Sequence, residues 1–348
     1  MNTMAARPDQ LLRNSLGDSV HESLGERRSQ LSIYAEPPGD PGWFGPESIT
    51  WKVHSRLGPM LVGGFSALLL QTLHPLVVQG VADHSNYRED PLGRLQRTAE
   101  FIANTTYGSD ALACEAVRQV RAVHRRVHGS TADGRTYRAN DPRLLCYVHV
   151  TEVWSFMRAY QRFAGHPLLL SEKNRYLSEM AIVGRRLGAR SVPTTTEEVR
   201  DYFRRLRPEL SKGVEARRVV GFLMSPPRRS PAELAAQRTI IEAAIDLLPA
   251  FARRELGFVR PPGYRLLLVR PAASVLSHTL QWAVGDAPML ATARRRATGS
   301  PPAADSSRQA AQDRVSSPER PTSCPVPSST RARSHAHSAS RPTPPRFR

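Results

Sequence analysis

The stretch that decides the fold is LGPMLVGGFSALLLQTLHPLVVQGVA, which runs without a charged residue from Leu57 to Ala82. Its length would span a bilayer, since about 20 apolar residues suffice. Glycine, proline, glutamine and histidine interrupt it, and a spanning helix rarely tolerates so many breaks. We therefore predict a buried core helix rather than a membrane span, with a kink or an end just after His74, where Pro75 follows.

A dense polar segment, Asp83–Thr98, follows this stretch and leads to a second helical pattern, Ala111–Gly129. Buried charge is costly unless it is paired or meets a ligand. Two apolar helices around a group of His, Arg and Asp residues therefore predict a buried polar site. The candidate side chains are His74, Asp83, His84, Arg88, Asp90, Arg94, Arg97, Thr98, His124, His128 and His149.

The remaining sequence predicts a succession of helices. Pro46 suits the first turn of a helix over Trp43–Arg56, and Asp90 suits the N-cap of a helix that ends at Gly108. In that second helix, apolar residues three to four apart share one face; they are Leu92, Leu95, Ala99 and Ile102. His128–Ala139 predicts a turn or a short hairpin. Without a convincing run of strand alternation, the fold class is all-α, with roughly nine to eleven helices.

Composition divides the chain into three parts. Residues 1–42 are polar and rich in Pro and Gly, which predicts a loosely ordered arm. Residues 43–292 are expected to form a single all-helical domain. Residues 293–348 consist mainly of Pro, Ser, Arg and Ala. Such a segment buries too little apolar surface to offset the entropy of ordering, so we predict a disordered tail.

The net charge of +18 suggests nucleic acid at first, but its distribution argues against that partner. The chain from Arg294 onward contributes +8, and the body's arginines are spread through helical patterns beside Glu and Asp. Three cysteines, Cys114, Cys146 and Cys324, are too few for a disulfide framework. Since the N-terminal sequence also lacks the pattern of a secretory signal, we expect a cytoplasmic protein.

The histidines and arginines have two interpretations each. His124 and His128 stand one helical turn apart, but Arg125 follows His124 where a zinc hydrolase needs Glu. A lone helical His is either a core residue satisfied by a neighbour or an axial haem ligand, and spacing alone favours the core residue. Arg94 and Arg97 are either helix-surface charges or a pair near a bound oxygen species or a haem propionate.

Five ordered motifs resemble the MpaB/latex-clearing-protein (rubber oxygenase) catalytic-domain family, formerly a domain of unknown function. They are HPLVVQGVADHS, DPLGRLQRTAEFI, TYG, VRAVHRRVHG and YRANDPRLLCYVHVTEVWS, and the resemblance extends from Trp43 to Trp282. It implies an all-α fold with a globin-like core that holds haem b. It also implies cleavage of isoprenoid double bonds with dioxygen.

The resemblance assigns roles by motif. His124 matches the proximal haem ligand, Arg94 the family's site arginine, and Thr98 the threonine beside it. Arg97 stands where rubber oxygenases have a lysine that can reach the iron. Arginine stays protonated, so the sixth iron position is expected to be open or water-filled. His74, His84 and His149 belong to the family pattern, whereas the distal catalytic glutamate has no match.

The sequence thus predicts an oxygenase that uses haem b and dioxygen on a small apolar substrate, of the isoprenoid or unsaturated-lipid kind. Arg94, Arg97 and Thr98 are the predicted catalytic residues. His124 is the predicted iron ligand, and Arg94, His74 and His84 are predicted to contact the cofactor. The alternative is a non-enzymatic helical ligand-binding or interaction protein that keeps the fold without a redox cofactor. Contact with a membrane surface is open but not favoured.

Overall fold

The structure is a computed structural model that describes residues 28–225 and 230–299. The described residues are mostly helical, which confirms the all-α prediction at that level. The helices are α1 (Ile49–His54), α2 (Leu57–Gln71), α3 (Pro75–His84), α4 (Pro91–Tyr107), α5 (Asp110–His124), α6 (Pro142–Phe163), α7 (Leu170–Leu187), α8 (Thr196–Leu206), α9 (Val214–Met224), α10 (Pro231–Leu247), α11 (Ala250–Leu256), α12 (Arg270–Val284) and α13 (Pro288–Ala297).

Shorter elements connect these helices. Arg28–Tyr34 and Arg207–Glu209 are 3₁₀ turns. A helical turn, Pro262–Tyr264, and a π-helical segment, Arg265–Val269, lead directly into α12. The strands β1 (His128–Ser130) and β2 (Thr136–Arg138) pair antiparallel, which confirms the hairpin predicted for this region.

The uncharged stretch forms two helices, α2 and α3, with an angle of 105° between them. His74 is the N-cap of α3 and Pro75 its first residue, so the predicted end near His74 is confirmed. Within the described part of the chain, no single helix is long and apolar enough to span a membrane; α2 and α3 meet that test only as a bent pair.

Helix α6 is the centre of the core. It packs most extensively against α2 and also contacts α7 and α10. A Cβ at Gly63 of α2 would lie 2.8 Å from a ring carbon of Phe156 on α6, so only glycine allows this approach. The Tyr147 hydroxyl donates to the Leu70 carbonyl at 2.5 Å across the same interface. These contacts fix α2 against α6 and so place the bend at His74.

Two helix boundaries differ from the prediction. Helix α1 begins at Ile49 with Ser48 as its N-cap, so Pro46 precedes the helix instead of starting it. Helix α5 ends at His124, because the chain turns to form the hairpin and β1 pairs His128 with Arg138. The helical face that His124 and His128 were predicted to share therefore does not exist.

The chain is ordered beyond the predicted body at both flanks. Residues 1–27 and 300–348, which include most of the predicted arm and tail, lie outside the described residues. Helix α13 runs to Ala297, past the boundary predicted at 293. Arg296 is 1% exposed and donates to the carbonyls of Tyr34, Asp40 and Gly108 at 2.9, 2.8 and 3.2 Å. These charge-assisted hydrogen bonds order a segment whose composition predicts disorder.

Candidate functional site

The predicted catalytic arginines lie on the first half of α4. Arg94 is half-buried and donates to the Ser85 hydroxyl at 2.7 Å; burial lowers the pKa of its guanidinium. Arg97 is exposed and pairs with Asp90 at 3.3 Å. Thr98 is exposed and donates to the Arg94 carbonyl at 3.1 Å. We call Ser85, Asp90, Arg94, Arg97 and Thr98 the α4 cluster; of the three predicted catalytic residues in it, only Arg94 is partly buried.

Arg88, another candidate, lies over the ring of Tyr87, 5.3 Å from its centroid. Tyr87 is buried, and its hydroxyl has no hydrogen-bond partner among the described residues. Its ring meets Phe222 of α9 at 5.2 Å. Arg88 therefore covers an aromatic contact and makes no hydrogen bond to the α4 cluster in the described part of the chain.

Asp83, His84 and His128 meet at the hairpin. His84 Nε2 lies 3.1 Å from both the His128 carbonyl and the Tyr137 hydroxyl. The Tyr137 hydroxyl donates to Asp83 at 2.5 Å, and burial together with this carboxylate raises the pKa of Tyr137. The His128 ring itself is exposed. Tyr137 thus joins Asp83 to His84, and the contact of His84 with the His128 carbonyl holds the hairpin against the end of α3.

His124 is the last residue of α5 and is half-buried. Burial lowers the pKa of its imidazole, so the ring is neutral at pH 7. Within residues 28–225 and 230–299 its side chain makes no hydrogen bond. Helices α4 and α5 pack against each other, with only Gly108 and Ser109 between them. A neutral, unpartnered imidazole is the form that binds a metal ion.

His74 and His149 lie in the core. The His74 ring is tilted against that of Tyr147, with centroids 5.1 Å apart. His149 packs so closely on Gly184 that a Cβ there would lie 2.9 Å from the ring, and burial lowers the pKa of His149 to about 4. Nδ1 of His74 and Nε2 of His149 have no hydrogen-bond partner among the described residues. Neither is fully satisfied, and buried unpaired nitrogens call for an explanation, such as a ligand or a water molecule.

A further group of polar residues, which the sequence patterns did not reveal, is called the core cluster here: His54, Thr106 and Tyr176 joined by hydrogen bonds, with Glu152 near enough that burial and its carboxylate together raise the pKa of Tyr176. The two His54 ring nitrogens lie 2.9 Å from the Thr106 hydroxyl and 3.0 Å from the Tyr176 hydroxyl. Burial lowers the pKa of His54 to about 3. Burial also raises the pKa of Glu152 to about 7, while a hydrogen bond from Gln71 lowers it.

One signal in the sequence could have revealed Glu152. It follows His149 by three residues on α6, so the two side chains share a helical face. A carboxylate on the helix that forms the centre of the core is a candidate for a shifted pKa.

The described residues contain no group of three or more His, Cys, Asp or Glu side chains that could hold a metal ion together. Haem iron does not require such a group, because the macrocycle supplies four nitrogens and the protein one or two axial ligands. A single histidine such as His124 therefore has the right chemistry for haem, whereas a protein-bound zinc ion would need more ligands.

A family model described as "ER-bound oxygenase mpaB/B'/rubber oxygenase, catalytic domain" matches residues 51–278. The chain belongs to this family. The resemblance drawn from the motifs is therefore confirmed. No curated protein and no solved structure matches the chain. In this MpaB/rubber oxygenase member, the match begins in α1 and ends in α12, so it includes every predicted site residue and also Glu152.

Proposed function

We propose that this protein is a haem b-dependent oxygenase that uses dioxygen on a small apolar substrate of the isoprenoid or unsaturated-lipid kind. The observation that carries the proposal is the match to the oxygenase family over residues 51–278. In this assignment His124 holds the iron and Arg94 pairs with a haem propionate. A bound haem would supply the activation of dioxygen.

The state of His124 supports this role. An iron ligand must be neutral and must have a free ring nitrogen. Burial keeps the His124 imidazole uncharged, and no described residue makes a hydrogen bond to its ring nitrogens. His84, by contrast, already has two oxygen partners at 3.1 Å. Of these two histidines, His124 is better suited to bind iron.

Apolar side chains close in sequence to Arg94 and His124 are exposed, which supports a large apolar ligand. Leu92 and Leu95 on α4 are 49% and 39% exposed, and Val123, the neighbour of His124, is 59% exposed. These side chains carry the apolar pattern of helices that normally bury such a face. A flat apolar macrocycle would remove this surface from water, which is favourable at about 25 cal/mol per Å².

The protein's own groups have distinct tasks in this proposal. Arg94, partly withdrawn from water, provides a stronger positive field than the exposed Arg97. Glu152, with a pKa of about 7, is suited to hold or release a proton at its carboxyl group near neutral pH.

The non-enzymatic alternative is favoured by one specific observation. Arg97 and Thr98, two of the three predicted catalytic side chains, are exposed and already paired with Asp90 and with the Arg94 carbonyl. A helical binding protein without a redox cofactor would have this arrangement. It would be stably folded and colourless when produced with haem precursor.

An optical spectrum of the full chain produced with haem precursor tests the proposal. We expect a strong Soret band in the wild type, its loss in His124→Ala and its retention in His128→Ala. The second variant is a matched control, because it removes the same side chain from a site four residues on that is exposed and lies on β1. Circular dichroism verifies that both variants fold.

Two results would overturn the assignment. If folded His124→Ala keeps stoichiometric haem, another residue is the ligand. A wild type that stays colourless under these conditions would support the binding-protein alternative.

A further inference from the structure

A cavity of about 470 Å³ opens between the beginning and the end of the helical body, away from the α4 cluster. This volume lies within the range of about 300–1,000 Å³ typical of small-molecule sites. The side chains that matter for its chemistry are Lys52, Arg56, Tyr160, His166, Asp286 and Arg294. Arg294 and Asp286 lie beyond residues 51–278, so the family match covers only part of this cavity.

Cationic groups outnumber anionic ones in the lining. Lys52 pairs with Glu172 at 2.7 Å, and Asp286 accepts from Gln281 at 3.1 Å. The guanidinium groups of Arg56 and Arg294 have no hydrogen bond or ion pair among the described residues. Two arginines that face one cavity without a carboxylate partner favour an anionic ligand.

Arginines elsewhere in the same body show how this chain normally treats such groups. Arg162, Arg265 and Arg270 converge on the buried carboxylate of Asp246, at 3.6, 3.6 and 2.8 Å. Asp286 also lines the cavity, but among the described residues it makes no ion pair with Arg56 or Arg294. A ligand oxygen in the cavity would fill the same role.

Tyr160 adds a neutral donor. Its side chain is 2% exposed, and its hydroxyl has no hydrogen-bond partner among residues 28–225 and 230–299. Burial raises the pKa of this hydroxyl, so it keeps its proton at neutral pH. Guanidinium and hydroxyl donors around one space suit a ligand group with several anionic oxygens.

We propose that this cavity binds a small molecule through a phosphate or diphosphate group, with Arg56, Arg294 and Tyr160 as donors. Planar guanidinium groups recognise phosphate oxygens in pairs, which a point charge such as Lys52 does not. The volume leaves room for an organic portion beside the phosphate. The lining includes neither His124 nor any residue of the α4 cluster, so the test does not depend on the proposed oxygenase activity.

Isothermal titration of the full-length protein with pyrophosphate, at about 0.15 M salt to screen diffuse attraction, tests the proposal. We expect saturable binding that weakens by about tenfold to a hundredfold in Arg56→Gln and in Arg294→Gln, as for lost charged hydrogen bonds. Arg295→Gln is the matched control. It removes the same charge from the next residue of α13, which is exposed and does not line the cavity.

A second measurement distinguishes a free phosphate compound from a lipid headgroup. Co-sedimentation with phosphatidylcholine vesicles that contain phosphatidic acid shows whether the same two arginines bind lipid phosphate. Binding that depends on Arg56 and Arg294 in either assay supports the site. The assay in which it occurs shows whether the phosphate belongs to a free compound or to a lipid headgroup. Absence of binding in both assays, or an equal loss in Arg295→Gln, would overturn it, since equal losses indicate general attraction to a basic protein.

Discussion

The two halves of α4 have the same kind of apolar spacing but opposite environments. From Phe101 to Tyr107 the helix is packed, with Ala103, Thr106 and Tyr107 buried against α1 and α13. From Pro91 to Glu100 most side chains are exposed, including Leu92 and Leu95. A core accounts for the apolar pattern of the second half. The first half has the pattern and the predicted site residues but no comparable burial within the described residues.

If haem covers the first half of α4, as proposed, its apolar pattern serves a ligand instead of the core. An apolar face that remains exposed beside a half-buried Arg94 suits a surface that a cofactor covers. The following variants remove contacts of the buried residues or test whether the exposed half of α4 contributes to haem binding.

The largest effect is expected for Arg296→Met, which removes the anchor of the buried half. Arg296 donates to three carbonyls, among them that of Gly108, the C-cap of α4. The substitution leaves these buried acceptors unpaired, which costs about 3 kcal/mol or more of unfolding free energy. Urea denaturation followed by circular dichroism measures it.

Arg295→Met is the control for this prediction. It removes an exposed arginine from the same turn of α13 and should change stability by less than about 0.5 kcal/mol. Equal destabilisation in both variants would show that the hydrogen bonds of Arg296 are not the cause.

Glu152→Gln should have the next largest effect, with a pH-dependent sign. Because burial raises the pKa of Glu152 from 4.5 to about 7, the folded state binds more protons than the unfolded state between these values. The wild type therefore loses stability as pH rises from 4.5 to 7. The glutamine variant escapes this loss. Its unfolding free energy relative to that of the wild type should therefore be higher at pH 8 than at pH 4 by about 3 kcal/mol.

Urea denaturation at several pH values measures the Glu152 effect. Asp90→Asn in the exposed half of α4 is the comparison, because that carboxylate is open to water. A stability difference between Glu152→Gln and wild type that stays constant from pH 4 to pH 8 would contradict the raised pKa.

Thr106→Val should destabilise the protein by about 1–3 kcal/mol, because it leaves a nitrogen of the buried His54 unpaired. Thr105→Val is a close control: the Thr105 hydroxyl bonds only to backbone carbonyls within its own helix, at 2.8 and 3.2 Å. The difference between the two unfolding free energies isolates the His54 contact. If Thr105→Val costs as much as Thr106→Val, packing and not that contact explains the loss.

Leu95→Ser should have the smallest effect on stability, under about 0.5 kcal/mol without haem, since the side chain is already exposed. If the exposed half of α4 covers haem, the same variant should bind haem more weakly than wild type does. Haem titration followed at the Soret band measures this. Unchanged affinity would separate the apolar face from the cofactor.

Much of the fold could be predicted because its signals are local. Pro75 marks the predicted helix end near His74, Asp90 marks the predicted N-cap, and the turn residues after His128 mark the hairpin; the structure confirms all three. These signals act through backbone geometry within a few residues. The globin-like core that the resemblance implies remains a prediction.

What could not be predicted depends on distant contacts. The end of α5 at His124 is set by strand pairing with Arg138, and the burial of Arg296 by carbonyls far away in the sequence. The pKa of Glu152 depends on how α6 is packed, which no pattern around position 152 reveals. For the site, the roles of His124 and Arg94 remain predictions from the motifs, and the structure adds that Arg97 is exposed.

The hydrogen bonds of Arg296 also constrain the order in which the chain can fold. They join residues 256 and 262 positions apart, so they are among the most non-local contacts in the molecule. A ribosome must release nearly the whole helical body before Tyr34 and Asp40 can meet this guanidinium. Helix α13 therefore completes the contacts of residues 34–40 only after the rest of the described helical body has been synthesised.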